Sequence, residues 1–294
     1  MNNNLKNIIK MNNSWFKGHG LGNDYIVFDS AASDINFDKQ NIIKICDRHF
    51  GIGSDGILLK VKSKKADFGL KIFNPDGSEA EKSGNGLRIF ADYLFSWYTS
   101  NKSFTVEVGN QIVRCEIISS DDNITNVLVD IGRAIFDAKK VPVICADKEA
   151  IDIPINIAND IYKFSMVSIG NPHAVCVTDD INNIDIKKIG PEIENHNLFP
   201  NRINVQIAQV SDIHNVDIRI WERGAGYTLA SGSSSCAVAS VLYKKGLIDN
   251  NVKIHSPGGC LEVLLDEKFN LKLLGPVEKV ACGVLICDKV NKKM

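Results

Sequence analysis

No C-x-x-C pair occurs among the eight cysteines, Cys46, Cys115, Cys145, Cys176, Cys236, Cys260, Cys282 and Cys287. A paired-cysteine zinc site or dithiol redox motif is therefore unsupported, and in a reducing compartment these thiols are expected to be free and mostly buried. No apolar run is long enough to span a bilayer. No basic stretch stands out either. Lys and Arg number 34 against 35 Asp and Glu, for a net charge of −1, so the electrostatic footprint of a nucleic-acid binder is missing. The opening "MNNNLKNIIKMNNSW" is polar and lacks the continuous apolar core of a signal peptide. It reads as a disordered leader over residues 1–14. These absences lead to the expectation of a cytoplasmic protein with no nucleic-acid or membrane partner.

What is present is an ordinary globular balance, 44% hydrophobic and 23% charged over 294 residues. That length suits one large domain or two of medium size. Strand-like runs dominate the first part: "YIVFD" at 25–29, "GILLKVKS" at 56–63, "DFGLKIFN" at 67–74, "FTVEVGN" at 104–110 and "QIVRCEII" at 111–118. Gly, Asn and Asp separate them, as turns require. The pattern returns at 163–170, 173–179, 202–210, 216–223, 260–266 and 281–288. Between them lie two helical stretches. Leu87, Phe90, Ala91, Leu94, Phe95 and Tyr98 recur at helical spacing. The segment 236–247 is apolar nearly all round, which suits a helix buried on every side.

Each helix opens with Ser-Gly: "KSGNGLRIF" from Ser83 and "ASGSSSCAV" from Ser231, 148 positions apart in a chain of 294. The arrangement predicts an α+β fold made by internal duplication, two pseudo-symmetric domains that each supply several strands and one buried helix. The expected active site lies in the cleft between them. Only a composition shift near 131–143 hints at the join. The expected domains are 15–132 and 133–275.

A single Ser-Gly helix start is most simply a cap, because the hydroxyl accepts a bond from an early helix N–H. Two such starts admit a second reading. A helix N-terminus offers free N–H groups and the positive end of a dipole, a seat for a carboxylate. Two of them facing one ligand would place Ser83 and Ser231 on opposite sides of the carbon bearing that carboxylate. Removing a proton from one face of a carbon and returning one to the other requires that geometry. Other polar residues cluster near these starts: Asn74, Asp76 and Asn85 around the first, Glu222 and Arg223 before the second, with Asn171, His173 and Asn204 in turns and strand starts. Taken singly, an Asn in a turn is a turn residue, a Glu-Arg pair is a solvated face and a lone His is structural.

The motifs "KGHGLGNDYIVFD", "RHFGIGSDGILL", "FNPDGSEAEKSGNGLRIFA", "GNPHAV", "FPNRINV", "ERGAGYTLASG" and "SPGGCLEV" occur in order across nearly the whole chain. In these the sequence resembles the diaminopimelate epimerases. The resemblance implies two mirrored domains, each a mixed or antiparallel sheet wrapped around a central helix, with a C-terminal strand within 276–294 returning to the first domain, and a reaction that interconverts LL- and meso-diaminopimelate, for lysine and peptidoglycan synthesis, without pyridoxal phosphate, metal or other cofactor. It implies a small-molecule amino-acid substrate and allows a homodimer. Carried over by motif, Asn23, Asn74, Asn171, Asn204, Glu222 and Arg223 correspond to substrate-holding residues. Gly84, Asn85, Gly232 and Ser233 correspond to the helix-end groups that bind the reacting carboxylate, and His173 and Glu222 to polar groups beside the reaction centre. The catalytic positions are Ser83 and Ser231, where the family carries cysteine. Tyr227 stands where the family has Glu, and Ser-Gly-Ser-Ser where it has Cys-Gly-Thr-Gly. A serine hydroxyl is a far weaker acid than a thiol of pKa about 8.5. It donates a proton but is a poor base without a neighbour to take its own. Two alternatives therefore stay beside the epimerase reading. One is a phenazine-isomerase-like proton shift with Glu222 or Asp76 as base. The other is a non-catalytic amino-acid-binding homologue.

Overall fold

The chain is described by a computed structural model that covers residues 7–80, 82–157 and 160–286. It divides into two units, Met1–Asp130 with Gly275–Met294, and Ile131–Leu274.

In the first unit, β1 (Ser14–Gly20) and β2 (Asn23–Asp29) form an antiparallel hairpin. The helix α1 (Lys39–Cys46) then crosses over to β3 (Ile57–Val61), which lies parallel to β2. Next come β4 (Phe68–Phe73), antiparallel to β3, and the short β5 (Glu79–Ala80) that folds back on it. The central helix α2 (Gly84–Trp97) leads to β6 (Ser103–Val108), parallel to β4, and β7 (Gln111–Ser120) and β8 (Ile124–Arg133) close the series antiparallel.

The second unit repeats this grammar step for step. A further strand, β9 (Ile153–Ile157), first flanks β10 (Asp160–Ser168). Strand β10 then pairs antiparallel with β11 (Pro172–Val177); α3 (Ile186–Glu194) crosses to β12 (Asn204–Asp212), parallel to β11. Antiparallel β13 (Asn215–Glu222) and the short β14 (Gly226–Thr228) follow. The central helix α4 (Gly232–Lys244) leads to β15 (Asn251–Ser256), parallel to β13, and β16 (Gly259–Leu265) and β17 (Asn270–Val284) close antiparallel. Six pairings in the same order of anti, parallel, anti, parallel, anti, anti identify the duplication that the two Ser-Gly starts signalled.

Both central helices are buried over nearly their whole length, because sheet strands cover them on several sides. Their composition fits: α2 buries Leu87, Ile89, Phe90, Ala91, Tyr93 and Leu94, and α4 buries the run Cys236–Leu242. Strands such as β8 and β13 alternate buried and half-buried positions, the mark of one face turned to a core. β2 is buried on nearly every residue, which explains why "YIVFD" reads as a continuous apolar run.

Two departures from the sequence reading concern the ends. Residues 1–6 of the leader lie outside the described residues, but the rest is not a free tail. Ile9 is buried, Ser14 Oγ donates to the Ile9 carbonyl at 2.7 Å, and Asn13 N–H donates to the Ala32 carbonyl at 2.8 Å. Asn13 Oδ1 also accepts from Ser33 and Asp34. The density of Asn and Lys masked a segment that buries Ile9, Asn13 and Ser14, although Met11 stays exposed. At the other end the strand expected over 281–288 is instead the end of a 15-residue strand beginning at Asn270, and residues 287–294 lie outside the described residues.

Strand β17 pairs with β16 through Leu271–Leu274, then with β1 through Glu278–Val284. In the first unit it is fastened by a buried charge. Asp92 of α2 is fully buried, Lys279 Nζ lies 3.3 Å from its Oδ1, and Thr125 Oγ1 donates to the same oxygen at 2.6 Å. Burial raises the Asp92 pKa above the usual carboxylate range; the charge of Lys279 and the Thr125 hydrogen bond oppose that rise. Removing one partner of such a pair leaves a buried charge uncompensated, at a cost of about 3–5 kcal/mol. Lys279→Met is expected to destabilise the protein in urea denaturation. A carboxyl whose folded pKa is raised loses native stability as pH rises through that pKa. The deficit of the variant should therefore be larger at pH 8 than at pH 4.5, and equal deficits would show that Asp92 does not carry the pair.

Candidate active site

The two central helices begin with the same backbone geometry. Ser83 caps α2 at φ −142°, ψ 120°, and Ser231 caps α4 at φ −145°, ψ 127°. Ser83 Oγ accepts from Gly86 N–H at 3.0 Å and Ser231 Oγ from Ser234 N–H at 3.4 Å. The two serine carbonyls take the next N–H, that of Leu87 at 2.9 Å and of Ser235 at 3.0 Å. Helix geometry supplies no partner for the first N–H groups, those of Gly84 and Asn85 in one unit and Gly232 and Ser233 in the other. Each helix thus presents two donors at its positive end. These are the four residues expected to bind a carboxylate.

The capping serines differ in their other contacts. Tyr25 Oη donates to Ser83 Oγ at 3.3 Å. A hydroxyl oxygen has two lone pairs; here Gly86 N–H and Tyr25 O–H occupy both, and the Ser83 proton is left to be donated. Ser231 Oγ has Ser233 Oγ at 3.4 Å in place of a phenol, and its bond from Ser234 is long. Ser231 is less fully engaged. A side chain at Gly86 would crowd this geometry, since an added Cβ would lie 3.2 Å from Ser83 Oγ and 3.0 Å from Leu58 Cδ2.

Around α2, Asn85 Nδ2 donates to Asn23 Oδ1 at 3.0 Å, and Asn23 Nδ2 donates to Asp55 Oδ2 at 2.9 Å. Asp55 and Asp24 share Arg48, and Lys17 also reaches Asp24 at 2.8 Å. Burial works against the charged form of Asp24, yet the hydrogen bonds from Arg48 and Lys17 prevail and hold its carboxyl at about 2. Arg88, fully buried in α2, donates to Asn85 Oδ1 at 2.8 Å. The side chain of Asn85 is therefore fixed from two sides. Asn74 sits in a tight turn, its amide donating to Ser78 Oγ at 2.9 Å. Asp76 accepts from the Ser78 hydroxyl and N–H in the same turn. These bonds lower its pKa, which makes Asp76 a poor general base.

Around α4, a buried carboxylate organises the substrate-binding candidates. Glu194, at the end of α3, accepts from Trp221 Nε1 at 2.8 Å, Gly224 N–H at 2.9 Å and Arg202 Nη1 at 3.0 Å. It clamps the turn that carries Glu222 and Arg223. Asn204 Oδ1 accepts from Arg223 N–H at 2.9 Å, and Asn204 Nδ2 donates to the Pro172 carbonyl at 2.8 Å. In this structure Asn204 ties the "GNPHAV" turn to Arg223. Thr228 Oγ1 donates to Glu222 Oε2 at 3.2 Å, and Arg223 Nη1 donates to the Asn201 carbonyl at 3.0 Å. His173 is fully buried, with Nε2 2.9 Å from Asn171 Oδ1. Burial pushes its pKa down to about 3, with the charge of Arg223 acting in the same direction. It is a neutral imidazole at any working pH. Tyr227 packs against the core of its unit, and Lys187 Nζ lies 4.6 Å from its ring centre.

Sequence reasoning missed Tyr25, Asp55, Arg88, Glu194 and Gln206. Tyr25, Asp55 and Arg88 lay within the quoted motifs and Glu194 and Gln206 outside them, and none of their types and spacings announces a partner so distant in sequence. Among the described residues, no group of three His, Cys, Asp or Glu side chains could hold a metal ion, and no helix is long and apolar enough to cross a membrane.

The family model "Diaminopimelate epimerase" matches residues 15–136 and 165–280. Diaminopimelate epimerase 2 of Nostoc sp. is 45% identical over 273 residues, covering 92% of this chain and 95% of that protein. A diaminopimelate epimerase of Caldanaerobacter subterraneus is 39% identical, over 91% and 97%. Among solved structures, a hydroxyproline epimerase of Agrobacterium vitis aligns with a TM-score of 0.63 at 12% identity, over 94% of this chain and 95% of that one. A phenazine biosynthesis protein of Bacillus anthracis aligns at 0.63 and 15%, over 93% and 99%. At such identities these two structures share the fold.

The clamp at Glu194 generates a prediction. Glu194→Ala strips an acceptor from three donors, each costing about 1–3 kcal/mol if left buried and unpaired. It is expected to lower the midpoint of thermal unfolding and to weaken amino-acid binding through Arg223. A variant with wild-type affinity would show that the turn holds its shape without the carboxylate.

Proposed function

The chain belongs to the diaminopimelate epimerase family and is an isomerase of the epimerase type; from that premise we propose that it inverts the α-carbon of diaminopimelate without pyridoxal phosphate or metal, with Ser83 and Ser231 in the two acid–base positions. The observation that carries this reading is the duplicated helix start. The two caps have nearly the same dihedral angles, and each offers two N–H groups beside its serine.

In the proposed step a base takes the α-proton from one face, and the electron pair moves into the carboxylate. The helix-end N–H groups of Gly84, Asn85, Gly232 and Ser233 stabilise the negative charge that develops there. An acid returns a proton to the opposite face. Ser83 suits the acid role because both its lone pairs are engaged. Ser231 is the group nearer to a base role, and it needs a partner to take its proton. Asn23, Asn74, Asn171, Asn204 and Arg223 hold the substrate, and Arg223 takes the distal carboxylate through its fork. His173 and Glu222 stand beside the reacting carbon. The lowered pKa of Asp76 speaks against the phenazine-isomerase-like alternative in its Asp76 form. A cytoplasmic setting and a homodimer belong to this reading as well.

Three outcomes test it. LL-Diaminopimelate incubated with the protein in heavy water should gain α-deuterium and convert to the meso form; binding without deuterium uptake would leave only an amino-acid-binding protein. Ser83→Cys with Ser231→Cys should raise the inversion rate on the order of 100-fold, the scale of general acid–base catalysis, and each single change much less. Equal rates for the wild type and the double variant would place the chemistry elsewhere. Arg223→Lys keeps the charge but loses the fork. It should weaken substrate binding about tenfold, the loss of one charge-assisted hydrogen bond of ~1.5 kcal/mol, and an unchanged Kd would remove the distal-carboxylate assignment.

A further inference from the structure

Four side chains of the first unit form one hydrogen-bonded line beside the start of α2. Arg88 Nη2 donates to Asn85 Oδ1 at 2.8 Å, Asn85 Nδ2 to Asn23 Oδ1 at 3.0 Å, and Asn23 Nδ2 to Asp55 Oδ2 at 2.9 Å. They come from α2, the first residue of β2 and the segment before β3. Both ends of the line are anchored. Arg88 has no exposed surface, its Nη1 lies 3.4 Å from the Gly84 carbonyl oxygen, and a Cβ added to Gly20 would lie 3.0 Å from its Nη2. Gly20 is the residue across the hairpin from Asn23. Asp55 Oδ2 also accepts from Asp24 N–H at 3.1 Å, and Asp55 Oδ1 pairs with Arg48 at 2.7 Å.

The oxygen and nitrogen of a side-chain amide exchange places on a half-turn, so its direction has to be argued from its partners. Here the two ends decide it. A guanidinium only donates and a carboxylate only accepts. Asn85 must turn its oxygen to Arg88, which leaves its nitrogen to Asn23. Asn23 must turn its nitrogen to Asp55, which leaves its oxygen to Asn85. Turning either amide over would set donor against donor at Arg88 or acceptor against acceptor at Asp55, and would break the middle bond as well. An amide nitrogen carries two hydrogens, and within the line each nitrogen spends one. The second N–H of Asn85 and of Asn23 is left over beside the backbone donors that open α2. We propose that Arg88 and Asp55 are positioning residues that hold these two amides in one direction, so that each offers its second N–H to a carboxylate bound at the start of α2.

That the carboxylate belongs to diaminopimelate rests on the epimerase reading, whereas the direction of the amides is a property of the resting protein. The test separates the two. Nitrogen-15 NMR of the whole protein, labelled at the asparagine side chains and free of substrate, should show one hydrogen-bonded and one free N–H in each amide. Assignment uses Asn23→Ser and Asn85→Ser. Arg88→Met should move the signals of Asn85 and, through it, those of Asn23. An unmoved Asn23 would overturn the line whatever the activity. If Arg88→Met does not fold, Asp55→Asn carries the same test from the other end, read at Asn85. LL-Diaminopimelate should shift the free N–H of both amides, and bound ligand without that shift would overturn the donor role. In calorimetry Arg88→Met should weaken LL-diaminopimelate binding about tenfold, the effect of losing one hydrogen bond to a charged group. Arg88→Lys keeps a charged donor on a side chain as long as Met and should recover part of that loss. Equal losses in the two variants would reduce Arg88 to packing and overturn its role. Amides directed as expected, with ligand bound and no deuterium taken up by the wild type in heavy water, would leave the positioning standing and remove the epimerase reading.

Discussion

A helix cannot satisfy its own first N–H groups, and burying its end makes that deficit costly. Both central helices begin in this condition. Each unit spends one serine on the problem: the hydroxyl takes one N–H and the carbonyl another. Two N–H groups per helix remain, and they lie at the positive end of the dipole. The rest of each unit is arranged around this remainder. Strands cover α2 and α4 so that their ends stay fixed, and the short β5 and β14 deliver the chain to each cap. An anion-binding device thus follows from helix geometry, and specificity comes from the side chains beside it.

Those side chains are held by partners that include two buried charged groups, Arg88 and Glu194. Asn85 is oriented by Arg88 and Asn23, and the Arg223 turn by Glu194. Such groups are expensive to leave unpaired in a low-dielectric interior. That expense is what makes them rigid, because any rotation that breaks a bond exposes the full desolvation cost. Preorganisation of this kind is what catalysis by charge stabilisation requires. The two units solve it with different residues, so the duplication fixed the backbone and left the supporting shell free to diverge.

How much of this was legible from sequence follows from the range of each interaction. The helix starts were legible because Ser-Gly before a 3.6-residue apolar period is a local signal; α2 and α4 begin at Gly84 and Gly232. Strands with a continuous or alternating apolar pattern, such as β2 and β13, were legible for the same reason. The strands β1, β8, β9 and β15 were not. The alternation of β1, "SWFKGHG", is broken by Gly and Lys, and only its pairing with β2 and β17 makes it a strand. The helices α1 and α3 were missed as well, being short and rich in Lys, Asn and Glu. At the site, residue types could be named but not their duties. In the resting protein both ends of the Asn204 amide bind backbone, a duty that nothing in "FPNRINV" announces.

The serines themselves follow from the same accounting. Hydroxyl oxygen is among the best N-cap acceptors, whereas sulfur is a weak one. A serine therefore caps a helix better than a thiol would and ionises far less readily, exchanging acid–base reach for a satisfied N–H. Its consequence is unequal in the two units. Ser83 receives a second donor from Tyr25, which favours the form that gives up its proton. Ser231 receives a long bond from Ser234, whose own hydroxyl is engaged by Gln206. The two caps are therefore unequal: both lone pairs of Ser83 Oγ are occupied, whereas Ser231 Oγ is held by one long bond with a second hydroxyl beside it.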